Sequence, residues 1–139
     1  MLSNYLLLAV GALSAVVIAQ SAEVVGNNPV GATYQATFTA SSESSISGYV
    51  SGSSNANGTG VVFNVNIQNL PDISEGPFLY HIHEYAVPAN GNCTGTGAHL
   101  DPYGAGESPA CDPTNPATCQ VGDLAGKYGK MSADPWQKM

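Results

Sequence analysis

The stretch Val61–Asn69 reads VVFNVNIQN and alternates apolar and polar residues from Phe63 onward. Val61, Phe63, Val65 and Ile67 fall on one side of an extended chain, and Asn64, Asn66 and Gln68 on the other. A period of two belongs to a β-strand with one covered face and excludes a helix here. The same period recurs upstream. Tyr34, Ala36 and Phe38 alternate with Gln35, Thr37 and Thr39, which predicts a second half-buried strand. Ile46–Ser51 predicts a short third, with Ile46, Gly48 and Val50 in register. Ser51 to Gly60, SGSSNANGTG, is turn chemistry between them. Short strands, turn signals and no helical period predict an antiparallel all-β domain of sandwich or barrel type.

The 139 residues hold one domain at most. Met1 to Ala19 has an apolar run from Tyr5 and small residues, Val17 and Ala19, ahead of a cleavage point. This predicts a secretory signal peptide over residues 1–19, cut after Ala19 or alternatively after Ala22, and no membrane span once it is removed. Residues 20–139 form the domain. Two sequons, Asn57-Gly-Thr59 and Asn92-Cys-Thr94, make Asn57 and Asn92 candidate glycan sites of a secreted protein. A net charge of −7, from ten acidic residues against three lysines, argues against a nucleic-acid partner.

All three histidines lie in Phe78–Leu100, FLYHIHEYAVPANGNCTGTGAHL. Residues two apart on a strand share a face, roughly 7 Å apart. His81 and His83 therefore aim two imidazoles one way while Ile82 turns toward a core. His99 follows a glycine-rich loop able to fold back and add a third nitrogen. Neutral imidazole is the commonest metal ligand, so the trio predicts a metal site. Spacing alone leaves zinc hydrolysis, non-haem iron and copper chemistry open. A cupin-like metalloenzyme would want a Glu three or four residues past the second His, where Val87 and Pro88 stand. From Val87 to Pro116 the chain is rich in Gly, Pro, Asn and Thr, and loops this long inside a domain are usually functional. Cys111 and Cys119 enclose a short Pro-containing loop and are the natural disulfide pair, which leaves Cys93 over.

In order, HIHEY, GNCTGTGAHLDP and VGDLAGK resemble the copper/zinc superoxide dismutase family, in particular its secreted, copper-only fungal branch. The resemblance covers roughly Ala32 to Lys130 and implies a Greek-key antiparallel β-sandwich or barrel. It implies copper as cofactor, one ion per chain, held by His81, His83 and His99, with superoxide as substrate outside the cell or at its surface. Asp123 matches a zinc ligand of bimetallic members. Gln120 stands where a zinc histidine would, so zinc is not expected. Asp123 is instead expected to accept a hydrogen bond from His99 or, read without the resemblance, to cap the VGDLAG turn. Full-length relatives continue through two more strands carrying a fourth copper histidine, an arginine and the cysteine that partners the position of Cys93. The chain is accordingly expected to be C-terminally incomplete, missing its last strands. The alternative is a non-catalytic secreted copper-binding protein using the same histidines, and a glycosylated wall protein that binds no metal is the structural rival.

Overall fold

A computed structural model describes residues 21–138, so the expected signal peptide lies outside the described residues. Four strands form one antiparallel sheet: β1 (Thr33–Phe38), β2 (Ser47–Ser54), β3 (Val61–Gln68) and β4 (Trp136–Lys138), in spatial order β1-β2-β3-β4. The all-β class expected from the alternation is the class observed. The register sets Ala36 against Val50 and Val50 against Val65, so Tyr34, Ala36, Phe38, Val50, Phe63, Val65 and Ile67 share one apolar face. Gly48, with φ +135°, sits where a Cβ would strike the Asn66 backbone, so only glycine lets β2 approach β3 there.

One half of this face is covered. Val65, Ile67, Met131 and Trp136 form the buried cluster, with Ile46, Val50, Leu70, Phe78 and Tyr80 packed against it. The Tyr80 and Trp136 rings meet at 5.2 Å and 59°, a tilted aromatic pair. Burial of the aliphatic side chains Val65 and Ile67 contributes up to about 1.5–3 kcal/mol each. The other half, over Tyr34, Ala36, Val61 and Phe63, is an open apolar hollow. The half-burial expected of β1 is therefore corrected: the strand forms, but every residue in it is exposed. Its alternation had the right phase; no described residue lies over it.

Two further expectations shift. The histidine segment is extended, yet it is not a ladder strand and joins the fold through isolated bridges, Phe78 to Met131 and His83 to His99. The expected absence of helix is corrected by a short one, α1 (Leu124–Tyr128), which buries Leu124 and Ala125. Five residues are too few to show a 3.6 period, and the apolar pair reads in sequence as loop. No helix among the described residues is long and apolar enough to cross a membrane.

Candidate metal centre

Three backbone segments meet at the histidines. The Leu100 amide donates to the Ile82 carbonyl at 2.8 Å, the Glu84 amide to Ala98 at 3.1 Å and the Tyr85 amide to Thr96 at 3.0 Å. These bonds fold the glycine-rich loop back as an irregular hairpin and set His99 directly opposite His83. Opposed residues of an antiparallel pair point to the same side, and His81, two residues before His83, joins them. A third segment closes the cluster. The Ile82 amide donates to the Gly122 carbonyl at 2.9 Å and the Gly122 amide to Leu100 at 2.8 Å. Gly122 is buried, and a Cβ there would collide with the Ile82 carbonyl oxygen.

The His81 and His83 rings each pack against the His99 ring. His81 and His99 stack with centroids 4.0 Å apart, and His83 meets His99 edge-on at 5.4 Å. His83 is exposed and the other two are half-buried, so the cluster opens to solvent at His83. Among the described residues, no group of three His, Cys, Asp or Glu side chains is arranged as a finished metal cage. The donor set itself suits a metal that favours imidazole, since each ring keeps one nitrogen without a partner.

That selection comes from hydrogen bonds. His83 Nδ1 lies 3.0 Å from the Gly97 carbonyl and 3.0 Å from Thr96 Oγ1, whose own hydrogen goes to the Cys93 carbonyl at 2.7 Å. A carbonyl only accepts, so Nδ1 carries the proton and Nε2 keeps its lone pair. His99 Nδ1 lies 2.8 Å from Gln120 Oε1, which likewise assigns its proton to Nδ1. The Asp123 carboxylate is 3.5 Å from His81 Nε2 and favours a proton there, leaving Nδ1. Burial, with the adjoining His99 ring, lowers the pKa of His81 below the ordinary histidine value, with Asp123 opposing. The neutral imidazole, the form that binds metals, is thereby favoured.

Asp123 therefore differs from its expected role toward His99. Its side chain accepts from the Gly126 amide at 2.7 Å as the N-cap of α1 and faces His81, while Gln120 takes His99. The cause is Gly122, whose docking on Ile82 turns the residue after it toward the first histidine. Thr96 and Gly97 are site residues the sequence left without a role, and Gln120 entered only as the replacement of a zinc histidine. Cys111 and Cys119 are bonded, with Cα atoms 4.8 Å apart, and this loop borders a hollow of about 130 Å³ beside His99, lined also by Glu107, Gln120 and Asp123. Glu107 is 80% exposed, 3.9 Å from His99 Nδ1. Cys93 is unpaired and exposed. Asn57 and Asn92 are both exposed, each accepting from the amide of the threonine two residues on.

No protein-family model matches the chain. It is 35% identical over 143 aligned positions to a cell surface Cu-only superoxide dismutase of Arthroderma benhamiae, covering 86% of this chain and 38% of that protein. It is 41% identical over 103 positions to cell surface Cu-only superoxide dismutase 5 of Candida albicans, covering 73% of this chain and 42% of the other. A solved structure of Candida albicans superoxide dismutase 5 with Cu(II) is similar at TM-score 0.65 and 40% identity, over 78% of this chain and 67% of that one. The chain spans about two fifths of the length of these two curated relatives.

Proposed function

This chain belongs to the fungal cell-surface branch of the copper/zinc superoxide dismutase family, and we propose that its three histidines hold one copper ion with which it disproportionates superoxide, 2 O2⁻ + 2 H⁺ → O2 + H2O2, outside the cell or at its surface. The observation that carries this reading is the hydrogen bonding that leaves one lone pair on each of three adjacent rings. His81 offers Nδ1, and His83 and His99 offer Nε2. Copper held by these three rings would supply one-electron redox chemistry.

The chain's own residues do the rest. The Gly97 carbonyl and Thr96 hydroxyl fix the plane of His83, Gln120 fixes His99, and Asp123 steers His81. Exposure of His83 leaves a small anion a path from solvent. A zinc companion is not part of the proposal. The His99 nitrogen that would face a second metal carries the proton given to Gln120, and an amide is a poor zinc ligand beside His and Cys. The exposed Asn57 and Asn92 would carry glycans on a secreted chain.

The test is metal analysis of the dialysed full chain joined to stopped-flow decay of superoxide. Copper at one equivalent, copper-dependent decay, and loss of both in His81→Ala and His83→Ala are expected. Retained copper in those variants, or one zinc held beside the copper, would overturn the assignment.

A further inference from the structure

We propose that the uncovered face of the β1–β3 sheet is a self-association surface, closed in solution by the same face of a second copy of this chain. The inference stands apart from the copper reading, because none of the three histidines belongs to β1, β2 or β3. Tyr34, Phe38 and Val61 stand on this face 81%, 45% and 48% exposed. The register places Gly52 between Tyr34 and Phe63, so the row has two rings and no side chain at its middle. The hollow around that gap measures about 550 Å³. Exposed apolar surface of this extent marks an interaction site.

The composition of the strands selects the occupant. No Asp, Glu, Lys or Arg occurs in β1, β2 or β3. The net charge of −7 therefore lies outside the face, and a basic partner finds nothing to pair with there. What fits is a second uncharged apolar surface with a bulge for the hollow. This same face has both, the Tyr34 ring and the gap over Gly52. Two sheets pack face to face about 10 Å apart with side chains interdigitated, and a two-fold pairing uses one patch twice. At about 150–250 Å² per aromatic side chain, Tyr34 and Phe38 alone expose roughly 200–300 Å². With Ala36, Val61 and Phe63 each copy offers roughly 500 Å², and two copies bury roughly 1,000 Å², the lower bound for a specific interface. The dimer should accordingly be reversible, with a micromolar Kd. β1 is also the outer strand of the sheet, and it has no Lys, Pro or bulge to discourage pairing along its edge. Edge pairing would leave the hollow open, so the apolar area favours the face.

Sedimentation velocity of the full chain, as secreted, over about 1–100 µM should show monomer giving way to dimer. Tyr34→Lys and Val61→Lys put a charge on the face at positions already exposed in one copy, and each should raise Kd at least about tenfold. Thr37→Lys puts the same charge on β1 but on the opposite face, and should leave Kd unchanged. Circular dichroism of the variants should match the wild type; should Val61→Lys not fold, Tyr34→Lys decides alone. A wild type that stays monomeric throughout, or a dimer indifferent to Tyr34→Lys, would overturn the proposal. Equal weakening by Thr37→Lys and Tyr34→Lys would assign the association to the β1 edge and overturn it as well.

Discussion

Gly122 is the point at which a single added carbon should dismantle the metal centre. It exchanges hydrogen bonds with both histidine segments, accepting from Ile82 at 2.9 Å and donating to Leu100 at 2.8 Å. A Cβ at this position would collide with the Ile82 carbonyl oxygen and lie 2.9 Å from the Leu100 nitrogen and 3.2 Å from the Ile82 carbonyl carbon. All three are backbone atoms, so no side chain can rotate away. Gly122 is not among the glycines of positive φ, so alanine could adopt its backbone conformation and the penalty is steric. Overpacking costs about 1–3 kcal/mol, and parting one or two of the local bonds adds about 1 kcal/mol each, which puts Gly122→Ala near 2–5 kcal/mol. Gly129, the C-cap of α1 at φ +96°, is the control: a Cβ there meets nothing within 4 Å, so Gly129→Ala should cost only about 1–2 kcal/mol of backbone strain. Urea unfolding of the metal-free chain gives both values, and chelator competition gives copper affinity. Gly122→Ala should lower both stability and affinity, Gly129→Ala stability alone. A Gly122→Ala protein no less stable than Gly129→Ala and binding copper normally would refute the reasoning.

Removing the disulfide with Cys111→Ser and Cys119→Ser should destabilise the chain by about 2.5 kcal/mol in the loop-entropy model for a sequence separation of 8, and a shift of the urea midpoint of less than half the corresponding amount would refute it. Asp112 accepts from the Thr114 hydroxyl at 2.7 Å and its amide at 2.9 Å, bonds that hold its pKa below 3.8. The unfolded chain then takes up this proton first, so the turn's contribution is complete above about pH 4 and is lost as pH falls through the folded pKa. A carbon-13 titration should place Asp112 below 3.8 and Thr114→Ala should raise it; a wild-type value at or above 3.8 would contradict the hydrogen bonds.

The fold was legible wherever a residue's environment follows from its neighbours in sequence. Val65 and Ile67 lie on the face that the alternation predicts, and they are buried. Tyr34 and Val61 lie on that face too, yet they are exposed, at 81% and 48%. Periodicity fixes which side a residue takes; it carries no information on whether another layer covers that side. Residues 69–135 contain no sheet strand and are joined by isolated bonds and bridges between distant segments, such as the Ala125 amide on the Tyr80 carbonyl and the reciprocal pair between Phe78 and Met131. Contacts of that kind leave no period to read.

The metal centre divides in the same way. Imidazoles two apart on extended chain, followed by a third behind a flexible loop, declare themselves by residue type and spacing. Their outward partners do not, because Gln120 and Asp123 lie in one short segment and each could serve either ring. The three-dimensional answer turns on Gly122. The Asp123 amide donates back to the Gln120 carbonyl at 3.1 Å, closing a tight turn whose inner residue lies flat on Ile82. A turn held that way splays its two ends: Gln120 reaches His99, and Asp123 reaches His81 while capping α1. Gly122, the one residue of this turn without a side chain, thus decides which acceptor each histidine meets, and through it which nitrogen each ring turns toward the metal.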